Sequence, residues 1–379
     1  MLYMYTSNSY FQMTSYFNLT YRSFTVEAWI YPTSVSGDWP IFGQCTCTTC
    51  TSQCLYFILR SGKLYMSFNY IDLSGVTTVN ASNWYHVAFV YDYSASQQII
   101  YLNGYQDAVH SAVTTPYLGY NGSITIGYSP LVSTTYFSNY IDNVALITRA
   151  KSSTEILADA TQLWYFSFDL PNPYYDNGPN RLNGTAYSIT SVTGHNSIGQ
   201  AIRMTTTSSY FQLYGISSYS YPTSKPYTYA MWVYPSSNLG GVLVHVSYSQ
   251  PGYNYQQELL GLTYSGQLVT QVNANTPVSA YPSVIGPVIS INTWTHVACT
   301  YSMTNGLTLY VNGVSQGSTG SNTVTSYYLI PNYVYLTLGY SFGYGNNYIP
   351  AYPFQGSIDE FYAYSRQLSA SEIYTLASI

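Results

Sequence analysis

Cleaving a glycosidic bond takes two carboxyl groups held roughly 5–10 Å apart. The sequence holds 14 acidic residues in 379, and they are scattered, with no Glu-x-Asp-x-Glu run or anything like it. Asp359 and Glu360 are adjacent, so a regular strand would send them to opposite faces. There is no nucleophile elbow, no HExxH pattern and no glycine loop of the phosphate-cradling kind. His86 and His296 stand at matching places in strand-like runs and read as hydrogen-bonded structural histidines. The expectation is a protein that is not an enzyme.

Other residues with chemistry point outside the cell. Cys45, Cys47, Cys50 and Cys54 crowd one Thr-rich loop, and four cysteines allow three disulfide pairings. The rival reading, a zinc knuckle, needs paired CxxC elements; the loop lacks them and has no nearby His, so disulfides are favoured. Cys299 aligns with Phe89 in the repeat described below and is expected to be a buried free thiol. Sequons at Asn18, Asn80, Asn121 and Asn183 offer N-glycosylation. Disulfides persist in oxidising compartments, so the chain reads as a secreted glycoprotein, extracellular or at the cell surface. No leader is legible ahead of the strand-like run at Met1. The methionine reads equally as a start or as a cut through a longer precursor.

Only 6% of residues are charged, against about a quarter in an average domain. The net charge is −5, with no basic patch, which excludes nucleic acid as a partner because phosphate neutralisation needs clustered Lys and Arg. No apolar run reaches the roughly 18–20 residues that span a bilayer, so membrane insertion is not expected.

The elements that position these residues come from a repeat. Residues 84–104, WYHVAFVYDYSASQQIIYLNG, recur at 294–313 as WTHVACTYSMTNGLTLYVNG. Each alternates apolar and polar residues, breaks at a polar turn and ends on Asn-Gly. That dipeptide favours positive φ at both central positions of a tight hairpin turn. Self-similarity extends outward. Ser9-Tyr10-Phe11-Gln12-Met13 matches Ser209-Tyr210-Phe211-Gln212-Leu213, and Phe24-Thr25, Trp29 and Tyr31-Pro32 match Tyr227-Thr228, Trp232 and Tyr234-Pro235. Near the two ends, Phe137, Ile141-Asp142, Arg149 and Glu155-Ile156 match Phe354, Ile358-Asp359, Arg366 and Glu372-Ile373. The chain is a duplicated module, divided at 1–160 and 161–379.

With 48 Tyr and many Ser, Thr, Asn and Gly, an all-β fold is expected: two tandem β-sandwiches built from short alternating strands. Helix signals occur only where each module ends. Ser152-x-x-Glu155 and Ser369-x-x-Glu372 read as capping boxes opening a short helical turn. Trp29, Trp84, Trp232 and Trp294 are expected to face inward and fill the two cores.

The chain resembles tandem laminin-G-like modules of the concanavalin A-like lectin/glucanase superfamily, a jelly-roll fold. The carriers are Trp164 to Asp169, Asp176-Asn177-Gly178, Asn183-Gly184, Gly199 to Met204, Tyr227 to Trp232, Trp294-x-His296, Tyr310 to Gly313 and Gly356 to Glu360. In the second module the match runs end to end. The first module starts at the equivalent of about residue 201, so the opening segment has no counterpart there. The resemblance implies that this segment supplies a strand beside the module's last strand. Module one should then expose a sheet edge that recruits another strand, most simply from a second copy.

The resemblance further implies a structural calcium, held by the Asp of the closing strand and by carbonyls near the domain start; the alternative is that these Asp residues cap a strand turn, which is the favoured reading in module one, where the opening segment has no counterpart. Asp359 is the candidate in module two, with Asp169 or the loop before Ala201 contributing, and Asp142 is its match in module one. Superfamily enzymes that cut glucans carry an acid–x–acid–x–acid strand, which is missing here. The functional expectation is a structural and adhesive glycoprotein that self-assembles into a filament or matrix, possible glycan partners aside. The alternative is a carbohydrate-binding, lectin-like adhesion protein.

Overall fold

The computed structural model describes residues 2–4, 8–132, 135–197, 199–216, 225–253, 256–272, 281–321, 334–346 and 348–379. The chain divides into an amino-terminal unit, Met1–Thr161, and a carboxy-terminal unit, Gln162–Ile379.

Each unit is an all-β sandwich of two antiparallel sheets. In the amino-terminal unit one sheet runs, in spatial order, Leu2–Met4, Asn139–Ile147, Phe24–Pro32, Tyr85–Asp92, Gln97–Leu102 and Tyr105–His110. The other runs Phe11–Met13, Ile124–Ile126, Asp38–Cys45, Cys54–Arg60, Lys63–Ser67 and Asp72–Ser74. The carboxy-terminal unit repeats this order and adds three strands from its opening segment. Gln162–Phe166 and Ile189–Thr193 join the first sheet, and Thr185–Tyr187 joins the second. The fold is therefore two tandem jelly-roll sandwiches, each ending in a short helix, Ser153–Thr161 and Ala370–Leu376.

Strand parity fixes the cores. Phe24, Val26, Ala28 and Ile30 face the partner sheet and form one core with Phe57 of that sheet and with Phe89 and Ile141 of their own. Tyr229, Met231 and Val233 do the same with Leu260 of the facing sheet and with Leu309 and Phe361 of their own. The intervening positions form a second, outward layer. It is buried where the closing helix lies on it: Ala88, Val90 and Tyr101 pack with Ile156, and Ala230, Ala298, Tyr310 and Tyr362 pack with Ile373.

This parity corrects one expectation. Trp29, Trp84, Trp232 and Trp294 belong to the outward layer, and Trp84 is 40% exposed; the tryptophan that fills a core is Trp164, fully buried. Because both faces of the central strands are partly covered, their sequences read as near-continuous apolar runs, and the period of two that would sort the tryptophans is blurred.

The helix ends are held as the sequence implies. The Ser369 side chain accepts from the Glu372 amide, the Glu372 carboxylate accepts from the Ser369 amide at 2.9 Å, and Arg366 clamps the same carboxylate at 2.6 and 3.0 Å. Ser152, Glu155 and Arg149 repeat the arrangement. Burial alone would raise the Glu372 carboxyl, but Arg366 and the Ser369 amide outweigh it and hold it down at about 2.

The Asn-Gly turns have positive φ at both residues, 51° and 86° at Asn103-Gly104 and 47° and 77° at Asn312-Gly313. The closing helix sits on each turn: a Cβ on Gly313 would come within 3.0 Å of Tyr374, and one on Gly104 within 2.8 Å of Leu157. Gly313→Ala combines left-handed strain with this contact. It is expected to destabilise the unit by more than about 1 kcal/mol, read as a lower urea midpoint at unchanged slope.

Candidate functional site

The proposed calcium residues take up other work. Asp359 is 2% exposed. Its Oδ2 accepts from the His195 amide at 2.8 Å and lies 2.9 Å from His195 Nδ1, and its Oδ1 accepts from the Glu360 amide at 3.0 Å. Burial pushes this carboxyl up from its ordinary value, with His195 partly offsetting the shift. Asp169 Oδ1 accepts from the Gln200 amide at 2.7 Å. N–H donors on both Asp359 oxygens take up most of that carboxylate's acceptor sites, leaving little of it for a cation wanting six to eight oxygens. Among the described residues no three His, Cys, Asp or Glu side chains gather as a metal-binding group. Asp142 lies half-exposed on the closing strand of the amino-terminal unit, beside the cavity described below.

The adjacent acids also depart from the regular-strand expectation. Glu360 has φ 49° and sits in a bulge where the strand register shifts against Tyr227–Pro235. The bulge turns Glu360 to the same outward side as Asp359, where it accepts from the Tyr362 hydroxyl at 2.9 Å. Asn143, with φ 46°, holds the same place in the amino-terminal unit. Both acids of the pair are thus engaged in structural hydrogen bonds.

The two matching histidines differ. His86 Nε2 lies 3.3 Å from Glu27, whose other oxygen accepts from Lys151 at 2.6 Å. Burial opposes ionising Glu27, but His86 and Lys151 outweigh it and hold the carboxyl below its ordinary range. His296 is 1% exposed, and neither ring nitrogen has a hydrogen-bond partner among the described residues, contrary to the sequence reading. Burial, with a smaller contribution from His195, pushes its pKa down to about 4.

The cysteines form disulfides Cys45–Cys54 and Cys47–Cys50, and Cys299 is a buried free thiol. Cys45 and Cys54 are directly opposite across paired strands, which selects one pairing from three. Of the sequons, Asn18 and Asn80 are exposed, Asn121 is half-buried, and exposed Asn183 uses its side-chain oxygen to accept from the Asp176 amide at 3.2 Å.

Two surface features have no counterpart in the sequence expectations. On the outward face of the amino-terminal unit, register places Tyr3, Tyr140 and Tyr31 side by side across three strands. Tyr3 and Tyr140 stack at 4.6 Å, and Tyr31 lies 6.0 Å from Tyr140 and 5.5 Å from Trp84. The same register in the carboxy-terminal unit aligns Arg203, Ser357 and Tyr234, with Trp294 at 5.4 Å from Tyr234. There the added strand Ile189–Thr193 walls the row, leaving a groove of about 450 Å³. The signal was available in sequence as matched aromatic positions, but only once their parity is known.

The second feature is the closing-strand edge. In the carboxy-terminal unit, Gly356–Tyr364 pairs on one side with Tyr227–Pro235 and on the other with both Gln200–Met204 and Gln162–Phe166. In the amino-terminal unit, Asn139–Ile147 pairs with Phe24–Pro32 and, at Asn139 to Ile141 only, with Leu2–Met4. Among the described residues no strand pairs with the remainder of that edge. The side chains record the difference. Phe211 is fully buried, with the rings of Phe166, Phe168 and Tyr174 at 5.0, 5.3 and 5.8 Å. Its match Phe11 is 45% exposed, and Leu2, the match of buried Ile202, is 36% exposed. A cavity of about 260 Å³ opens there, lined by Leu2, Phe11, Ile126, Ile141, Asp142 and Val144.

Comparison with known proteins agrees with this architecture. The family description "Concanavalin A-like lectin/glucanases superfamily" matches residues 6–157 and 205–374. No curated protein sequence matches the chain. Among solved structures, domain 4 of AbnA, a GH43 extracellular arabinanase from Geobacillus stearothermophilus in complex with arabinotriose, is 21% identical over 57% of this chain and 98% of its own, with a TM-score of 0.38. The binding domain of Paraclostridial mosquitocidal protein 1 is 18% identical over 58% of this chain and 52% of its own, TM-score 0.43. The receptor binding domain of botulinum neurotoxin D is 14% identical over 58% and 53%, TM-score 0.41. The chain thus spans about half the length of these two toxin domains.

Two outcomes are expected from this chemistry. Adding calcium or EDTA should leave the melting temperature unchanged, and a calcium-dependent rise would show that the metal binds. His296, neutral when folded down to about 4 but titrating near 6.5 when unfolded, contributes stability that is lost as pH falls through that window. His296→Leu should flatten this part of the stability–pH curve.

Proposed function

Because the chain belongs to the concanavalin A-like lectin/glucanase superfamily and the closing strand of its amino-terminal unit has an edge unpaired among the described residues, we propose that it is a secreted, non-catalytic adhesive protein that assembles by strand complementation. The observation that carries this reading is the contrast between Phe11 and Phe211: one position in a duplicated core, 45% exposed in one unit and fully covered by Phe166 and Phe168 in the other.

The physics favours a strand over other occupants. A closing-strand edge offers backbone donors and acceptors that an extended segment satisfies. The adjoining cavity takes apolar side chains at every second residue, as Trp164, Phe166 and Phe168 do in the completed unit. Covering Phe11 and Leu2 contributes on the order of 2 kcal/mol of apolar burial, to which the pairing of the edge adds. A second copy of the chain is the proposed donor, and a head-to-tail contact of this kind that does not close on itself builds a filament. Two disulfides and three exposed sequons suit a protein working outside the cell. No helix among the described residues is long and apolar enough to cross a membrane.

Sedimentation velocity and negative-stain microscopy of the full chain test the proposal. Concentration-dependent assembly is expected. Phe11→Ser, at a position already half in solvent, should abolish it while leaving circular dichroism and melting unchanged. A wild-type chain that stays monomeric at high concentration, or a Phe11→Ser chain that assembles as before, would defeat the reading.

A further inference from the structure

The groove on the outward face of the carboxy-terminal unit has a composition that the assembly reading does not use. Arg203 lies on Gln200–Met204, flanked in register by Thr190 on one side and Ser357 on the other. The chain has nine Lys and Arg, and most of the arginines are committed: Arg60 to Asp38 at 2.7 Å, Arg149 to Glu155 at 2.5 Å and Arg366 to Glu372 at 2.6 Å. Arg181 reaches the carbonyls of Asp176 and Asn177 and packs over Tyr175. Arg203 is exposed, and its guanidinium has no ion pair or hydrogen bond among the described residues.

It also stands where two hollows meet. One, of about 450 Å³, extends past Ser357 to Tyr234, Asn292 and Trp294; the other, of about 430 Å³, extends past Ser236 to Thr205 and Gln355. The floor offers two aromatic rings 5.4 Å apart, and the walls offer hydroxyls and amides. No carboxylate lines either hollow. The amino-terminal unit shows what the same four positions look like without these features: Tyr3 and Tyr140 replace Arg203 and Ser357, and stack on each other.

We propose that this groove binds an anionic saccharide, with Arg203 on its acidic group and Trp294 and Tyr234 under a sugar ring. The chemistry divides the ligand between them. A guanidinium presents a planar fork of donors that matches a carboxylate or sulfate. Aromatic faces meet the apolar face of a pyranose, and the surrounding Ser, Thr and Asn side chains exchange hydrogen bonds with its hydroxyls. A cation with no protein counter-charge in a groove free of acids selects for negative charge. This site goes beyond the assembly reading: it lies in the other unit, and either can fail without the other.

Calorimetric titration of the full chain with three oligosaccharides of one backbone, bearing uronate, sulfate or no charge, tests it. An acidic ligand should bind at least about tenfold tighter than the neutral one, and whichever acid binds more tightly identifies the anion. Arg203→Gln, at an exposed position, should erase that preference without changing the melting curve. Trp294→Ala should weaken every ligand, and Arg22→Gln, an exposed cation of the other unit, should change nothing. Equal affinity for the neutral sugar, a preference that survives Arg203→Gln, or no binding of any of the three would overturn the proposal.

Discussion

Backbone pairing along the closing strand governs this protein. In a sandwich whose first sheet is ordered around Gly356–Tyr364, both edges of that strand must find partners, because its inward residues Ile358, Phe361 and Ala363 are core. The carboxy-terminal unit meets the demand with two separate strands end to end on one edge, and its closing strand is almost wholly buried. In the amino-terminal unit the corresponding strand is half-exposed along most of its length, although the residues facing the core are equally apolar. Shared topology with unequal covering follows from the segment 162–200, which among the described residues adds three strands and the aromatic plug of Trp164, Phe166 and Phe168 to the carboxy-terminal unit alone.

The outward layer explains why the closing helices recur. Central strands whose outer positions are Ala88, Val90 and Tyr101, or Ala230, Ala298 and Tyr310, cannot face water across their whole length. The helix that follows the closing strand folds back over these positions, is started by the Ser–Glu cap and is set against the Asn-Gly turn by glycine. What the helix leaves uncovered is the end of the sheet, where the aromatic row of one unit and the groove of the other lie.

Some of this was legible in the sequence because it depends on local chemistry. Asn103-Gly104 and Asn312-Gly313 require positive φ wherever they occur in a hairpin, and Ser369-x-x-Glu372 closes its own hydrogen bonds. The duplication was visible for the same reason, since both copies keep these signals. Other features depend on which face a residue takes. Trp29 and Trp232 sit in runs apolar on both faces, so alternation did not reveal that they point outward. Asp359 and Glu360 share a face because of a bulge that their adjacency did not disclose. The pairing Cys45–Cys54 needed the register of two strands. Arg203 was invisible as a site because its neighbours Tyr234, Ser357 and Trp294 come from three other places in the chain.

The two halves also differ in a way that separates core from surface. At inward positions the duplicated residues stay apolar: Ile141 and Ile358, Ile126 and Leu338, Phe11 and Phe211. At the outward end of the sheet, two of four aligned positions keep an aromatic ring while Tyr3 and Tyr140 stand against Arg203 and Ser357. Packing in a sandwich core tolerates little change in volume or polarity, so inward identity is what the fold alone demands. It makes no such demand on the outward row. A tyrosine stack in one unit and an unpaired arginine above a walled groove in the other are different surfaces built on one scaffold. The difference arises where the opening segment adds its wall, so the segment that completes the second sandwich also shapes its groove.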